Sequence, residues 1–462
     1  MKQAALVFSN NDKTTIDTIV KYVNNWSEDT QTFGTIRFSL VVSPQLLPWA
    51  ENRYPGIGVT VSYDFRRHSF THIIHCDSLL LGVDPNKYKS TVYNCIKKNL
   101  QPELLFLEDG WVMESIFNAC DGYGSSAENL AIAMGHTVDL SFKPIEEKPH
   151  SRALANPKLI ELLNRFPMGS RYIYYSLPRV TPLAKGHRMA GGTVASLTMF
   201  ESTRIPIQWT EAINFYDHLL VPSTFCKDVF VDCGVTIPTH VVGLGIDPSM
   251  WPIKANRIAD DRPFRFLLFA NSHWGNVRKN YAVALELFNR CFANNPKVEL
   301  WLKLTVNDCP VRLPSNVRVI PDRYSHDQLI NMLHRCDCLL FPSNGEGYGL
   351  PPREALATGM SAIYTNWGGL TDLAKLKVGY PVDPIGVQAA NYPDGHLISM
   401  NRGSPNFGVF ARQDAQGICD MMEYAVSHRD TILSRALEDA KIVRKKETYR
   451  QTARNIVRIM EN

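Results

Sequence analysis

Residues 336–359 read CDCLLFPSNGEGYGLPPREALATG: an apolar run, a glycine-rich loop, then a helix opened by two prolines. CDCLLFPS has no alternation of apolar and polar residues. A central strand of a parallel sheet, buried on both faces, needs such a run. Pro351 and Pro352 suit a first helical turn, where a missing N–H costs little, and Gly359 suits the end of the helix. This strand–loop–helix unit commits the chain to a layered α/β fold. The same alternation recurs throughout. AALVF, FSLVVS, THIIHC, WVMESIFNA, HTVDLSF, RYIYYSL, GTVASLTMF, DHLLVPS, RFLLFA and VELWLKL read as strands between helix-period segments.

Helices are expected near TTIDTIVKYVNNW, from about Ala127 to Met134, after Asn280 as N-cap, and over 326–335, where Ser325 and Gln328 form a capping box. Three more are expected near 413–426, 429–443 and 448–460. DPSMWPIKANRIADDRPF has no clean period and reads as a linker. Residues 383–410, rich in Gly, Pro and Asn, read as a long functional loop. Four parts follow: an added α/β block over 1–110, a domain over 111–250, a second over 251–445, and a terminal helix over 446–462 crossing back to the first domain.

Composition closes several functional classes. At ~150 residues per domain, 462 residues make two or three domains and bury a core without staples. The ten cysteines include no CxxC pair, so no zinc or redox motif is indicated, and buried thiols in a reducing compartment are expected. The five-residue apolar run near the N-terminus is too short for a signal peptide, and no window approaches 18 uninterrupted apolar residues. The expectation is a cytoplasmic protein, at most peripheral at a membrane surface, with no transmembrane segment. A net charge of +4 fits an anionic substrate without demanding nucleic acid. Nothing in the sequence indicates an oligomeric state.

The chemistry sits at the loop NGEGYG, beyond the carboxyl end of the strand, where open α/β sheets bind ligands. Gly345, Gly347 and Gly349 allow close backbone approach. Exposed amides of the first helical turn, with the helix dipole, make an anion site that a diphosphate would fit. Glu346 and Glu354 straddle it. Carboxylates do not favourably face phosphate, but they accept hydrogen bonds from sugar hydroxyls. The combination points to a nucleotide-sugar. Arg278 and Lys279, beyond the carboxyl end of RFLLFA, can neutralise a diphosphate leaving group. Asn366, Gly368 and Gly369 follow the next strand and are expected in the same crevice. Trp209 and Trp301 read as core.

GEGYGLPPREALATG resembles the Glu-x7-Glu signature of retaining glycosyltransferases with the GT-B fold, specifically family 4. LTMFESTRIPIQWTEAINFYDHLLVPSTFCKDVFVDCGVTIPTHVVGLGID resembles the end of that family's N-terminal domain. NSHWGNVRKNYAVALELF and FGVFARQDAQGICDMMEYA resemble the start and close of its C-terminal domain. The resemblance covers roughly residues 112 to 460. It implies two Rossmann-like domains facing across a cleft, the C-terminal one holding a UDP- or GDP-linked sugar and the N-terminal one an acceptor, without a metal. It implies donor contacts by Arg278, Lys279, Glu346, Gly347, Tyr348, Gly349, Leu350 and Glu354. His273 stands where the family usually carries a phosphate-binding Arg. The turn Gly122–Tyr123–Gly124 matches the one that closes over the phosphates and the acceptor. Catalytic roles fall to Glu346, Lys279 and Glu201, the last standing where many members carry a histidine. His187 is the nearest alternative polar residue.

The activity implied is transfer of a hexose from a nucleotide-sugar to an acceptor hydroxyl with an α-linkage. The acceptor expected is a glycan or lipid-linked glycan, with a hydroxymethylated nucleic-acid base as the other option. Two readings compete: a non-catalytic partner protein of the same fold, and a sugar-nucleotide epimerase.

Overall fold

The computed structural model describes residues 2–7, 36–42, 47–53, 58–61, 72–75, 110–116, 122–145, 156–163, 169–189, 191–254, 261–270, 278–304, 313–320 and 324–461. His273 and the helix expected near residues 14–26 lie outside them. The chain forms two compact units, one of residues 1–176 with 180–196, the other of 177–179 with 197–462.

In the first unit, β1 (Lys2–Val7), β2 (Ile36–Val42), β3 (Gly58–Val61) and β4 (His72–His75) form a parallel sheet in the order β3-β2-β1-β4. Only β3 was not expected. A second sheet carries β5 (Trp111–Ser115), β6 (Leu140–Pro144), β7 (Arg171–Tyr175) and β8 (Thr193–Leu197), in the order β8-β7-β5-β6. Trp111, Val112, Tyr172, Ile173, Tyr174 and Tyr175 are all buried, as the apolar runs require.

In the second unit, β9 (His218–Val221) and β10 (Thr239–Val241) pair in parallel. The largest sheet holds β11 (Phe264–Ala270), β12 (Val298–Leu304), β13 (Val317–Ile320), β14 (Cys338–Phe341), β15 (Ser361–Thr365) and β16 (Tyr380–Val382), ordered β13-β12-β11-β14-β15-β16 and parallel throughout. β14 is central and buried along its whole length. Cys338 and Leu340 pack with the helices Tyr281–Phe292 and Ala415–Ser427 on one face. Leu339 and Phe341 pack with Met332, Leu333, Ala355 and Val443 on the other. Both faces are covered, which explains the unbroken apolar run.

The helix His326–Arg335 carries the expected capping box. The Ser325 side chain accepts from the Gln328 amide and Gln328 Oε1 accepts from the Ser325 amide at 2.8 Å. Ser325→Ala is expected to destabilise the fold by about 1 kcal/mol, read as a lower midpoint in urea unfolding. No change would mean that water replaces the cap without loss.

Two expectations need correction. The segment read as a linker is partly packed: Trp251 is buried beside Met332 and Leu333, and the Pro248 carbonyl accepts from Arg444 Nη2 at 3.0 Å. Residues 383–410 are not one loop. They contain β17 (Gly386–Ala389) and the helix Gly395–Met400, and run to β18 (Val409–Arg412), which pairs antiparallel with β17. Among the described residues no helix is long and apolar enough to cross a membrane.

Candidate active site

The loop after β14 presents the strongest polar feature of the second unit. Residues 345–349 are buried. The backbone amides of residues 345–350 nevertheless meet no acceptor among the described residues. Buried amides are nearly always paired. Six successive unpaired ones, five in the buried loop and the sixth on Leu350 at the start of the helix, are donors of the kind that suit an anion. The donors differ from those expected. The helix runs Leu350–Ala357, so Pro351 and Pro352 occupy its second and third positions and supply no N–H. The unpartnered amides therefore belong to the loop and Leu350, not to the body of the first turn.

The loop is held from behind. Gly349 has φ 82°, a left-handed conformation that lets the chain enter the helix. At Gly345 a Cβ would lie 2.3 Å from the Glu201 carbonyl oxygen, so only glycine lets the loop pass that segment. The Gly347 carbonyl accepts from Ser223 Oγ at 2.6 Å, and the Glu346 carbonyl from the Gly369 amide at 2.7 Å. Arg353 is fully buried beneath the loop. Its Nε donates to Glu447 Oε2 at 2.8 Å, its Nη1 to the carbonyls of Tyr348 and Gly349, and its Nη2 to that of Gly369 at 3.4 Å. With the carbonyls drawn to this side, the amides are left without partners among the described residues. The Tyr348 side chain, expected at the donor, stacks on Arg353, and its single O–H lies within hydrogen-bond reach of two acceptors, Leu244 O and Glu447. What Tyr348 keeps for a ligand is its amide.

Above the loop lies a charge cluster. Glu346 Oε1 accepts from Arg278 Nη1 at 3.1 Å, Lys279 Nζ at 2.5 Å and Ser343 Oγ at 2.8 Å. Its Oε2 meets no donor among the described residues. Glu201 Oε1 stands 4.0 Å from Arg278 Nη2. Burial pushes the Glu346 carboxyl up, but Lys279 and Arg278 outweigh it and hold the group below the usual carboxylate range. Burial lowers the Lys279 ammonium, with Glu346 opposing it. Both cations keep about a fifth of their side-chain surface exposed (23% and 22%), enough for a ligand to reach them. The two cations share the cluster with two carboxylates, Glu346 and Glu201, and Arg278 Nη1 also donates to the Gly345 carbonyl at 3.2 Å, which sets it beside the free amides.

Further polar groups form the floor of the cluster. Asn280 occupies the expected N-cap position but is left-handed (φ 55°), and its side chain makes no cap. Its Nδ2 donates instead to Asn344 Oδ1 at 3.3 Å. Gln413, buried, donates to the same Asn344 oxygen at 2.9 Å and accepts from Thr365 Oγ1 at 2.8 Å. Ser343, Asn344 and Gln413 were not singled out from the sequence, since nothing local marks Gln413 as a neighbour of a loop 69 residues away.

The structure thus brings together Arg278, Lys279, Glu201, Glu346, Gly347, Tyr348, Gly349 and Leu350, with Gly368 and Gly369 behind them. Glu354 stands one turn into the helix, half-buried. Asn366 Nδ2 donates to Asp383 at 2.6 Å. Trp209 and Trp301 are buried, as expected. Gly122 and Gly124 belong to the first unit and begin a helix, Gly122–Gly135, that starts five residues earlier than expected; they form no turn ahead of it. There Ser126 Oγ closes a hydrogen bond to the Tyr123 carbonyl at 3.0 Å. His187, the alternative polar residue to Glu201, is wholly buried on the helix Pro182–Met189 and stacks on Tyr172 at 4.9 Å.

Residues 311–391 match the sequence model of the family Glycosyl transferases group 1. An MMP alpha-(1->4)-mannosyltransferase of Mycolicibacterium hassiacum is 25% identical over 164 residues, which are 34% of this chain and 38% of that protein. The match therefore spans well under half of that relative. Anabaena HepE in complex with UDP and glucose is similar at TM-score 0.53 and 10% identity, over 77% of this chain and 100% of that one. The E. coli trehalose-6-phosphate protein bound with UDP-2-fluoro glucose reaches TM-score 0.52 at 10% identity, over 76% and 99%. At such identities the likeness concerns the fold, which is GT-B, with parallel α/β sheets in both Rossmann-like halves.

Proposed function

We propose that the chain is a retaining glycosyltransferase that moves a hexose from a UDP- or GDP-sugar to an acceptor hydroxyl, forming an α-linkage. The observation that carries this reading is the run of unpartnered amides at 345–350 beside the cations of Arg278 and Lys279. The diphosphate would lie on those amides, with Lys279 and Arg278 taking its charge. Glu346 Oε2 would accept a hydroxyl of the transferred sugar, and Glu354 a ribose hydroxyl. The group 1 family match over the same loop and the GT-B likeness support this placement.

In the reaction the acceptor oxygen bonds to the anomeric carbon on the face from which the diphosphate departs. The bond from that carbon to the phosphate oxygen breaks, and the acceptor proton passes to the leaving phosphate. An oxocarbenium-like sugar lies between. The protein's task is electrostatic and positional: fixed cations and amides stabilise the departing dianion. Two side-chain cations and a bed of amides can do this without a metal. The acceptor proposed is a carbohydrate or lipid-linked glycan.

A panel of nucleotide-sugars in thermal unfolding tests the donor. At one hundred times its dissociation constant, the true donor is expected to stabilise the protein by ~2.7 kcal/mol. If no UDP- or GDP-sugar raises the unfolding temperature at millimolar concentration, the donor assignment fails.

A further inference from the structure

Tyr392 comes from the segment between β17 and β18, an arm that the catalytic reading leaves unused. We propose that this arm completes the reaction centre: Tyr392 is a positioning residue whose hydroxyl fixes the carboxylate of Glu201 against the transferred sugar. This rests on the glycosyl-transfer reading of the same site.

The arm is anchored where Glu201 stands. The Thr203 amide donates to the Val409 carbonyl at 3.3 Å and the Arg204 amide to that of Phe407 at 3.1 Å. Trp209 Nε1 reaches Met400 Sδ at 3.1 Å, and the Ile207 amide reaches Asn401 Oδ1 at 3.3 Å. Ala390, Phe407 and Phe410 join one apolar cluster with Phe200, Ile205 and Trp209. The Tyr392 ring stacks on Phe200 at 5.4 Å and meets Phe407 edge-on at 5.2 Å. Its hydroxyl donates to Glu201 Oε2 at 3.4 Å. The other oxygen of Glu201 faces Arg278 at 4.0 Å.

Glu201 is therefore approached at both oxygens, by a cation from the donor side and by a neutral donor from the arm. Its side chain keeps 26% of its surface exposed and follows the end of a strand, so packing alone does not lock it. A second anchor removes rotational freedom and holds the carboxylate in one orientation, as a reacting geometry requires. Burial and the neighbouring Glu201 charge hold the Tyr392 phenol well above its ordinary pKa, so it stays a donor.

The test is a cycle of Tyr392→Phe and Glu201→Gln, read as release of nucleoside diphosphate in a radiolabelled-donor assay that resolves a 10,000-fold loss. Tyr392→Phe keeps the ring and its stacking, so the unfolding temperature and the donor dissociation constant should stay at wild-type values. The expected result is about a tenfold fall in kcat in the wild-type background and less than a twofold fall in the Glu201→Gln background. A structural role would give equal losses in both backgrounds, and that would overturn the proposal, as would an unchanged kcat in Tyr392→Phe. Wild-type release in the same assay separates the two readings. Its absence overturns glycosyl transfer and the positioning role with it, whereas normal release with additive or null Tyr392 effects overturns only the latter.

Discussion

Arg353→Ala is expected to destabilise the protein by about 3–5 kcal/mol. Arg353 is fully buried, and its one charged partner among the described residues is Glu447 at 2.8 Å, itself only 15% exposed in its side chain. Truncating the guanidinium leaves that carboxylate half of a pair in a poorly solvated place. It also strips donors from the carbonyls of Tyr348, Gly349 and Gly369, and the cation from under the Tyr348 ring. Each is a separate cost in one direction. Changing both partners to apolar residues of like volume, Arg353→Met with Glu447→Met, should recover much of the stability, since the penalty comes mainly from the stranded charge. Donor binding should not recover with it, because the carbonyls that Arg353 gathers would be free to turn. Urea unfolding and nucleotide-sugar titration on the single and double variants measure both halves. A loss below 1 kcal/mol for Arg353→Ala would show that the buried pair contributes little.

Lys279→Ala should lower turnover by about 100- to 1,000-fold, the usual consequence of removing one group that stabilises developing charge. Lys279 Nζ sits 2.5 Å from Glu346 Oε1 and stacks over Phe341 at 4.9 Å, so its position is set from two sides. In the substituted protein Arg278 still compensates Glu346, at 3.1 Å. The fold should therefore survive, and the loss should appear in kcat more than in donor affinity. A kcat within threefold of wild type would remove Lys279 from the mechanism.

The sequence displayed some of this and concealed the rest for physical reasons. Features determined within one turn of chain were legible. Ser325 and Gln328 cap their helix as expected, and the unbroken apolar run 338–341 marks a strand with both faces covered. Short edge strands were not legible. β13 has its two middle residues exposed, and β16 carries a proline, so neither shows a buried-strand pattern. The arm over 383–410 looked structureless because its order comes from β17–β18 pairing and from contacts with residues near 200. Arg353 and Glu447, 94 positions apart, and Glu201 and Tyr392, 191 apart, meet only through the tertiary fold. The prolines that marked the helix start correctly also misdirected one inference. They announce a first turn, yet they remove the amides that turn would have offered, so the unpartnered amides, and with them the proposed anion site, fall mainly to the loop before it.

A crystal structure of the protein with UDP- or GDP-sugar bears most directly on the idea that these loop amides grip a sugar diphosphate. The expected density places phosphate oxygens within hydrogen-bond distance of amides among residues 345–350 and of Lys279, with a sugar hydroxyl on Glu346. Nucleotide bound away from that loop, with its amides untouched, would contradict the proposed site.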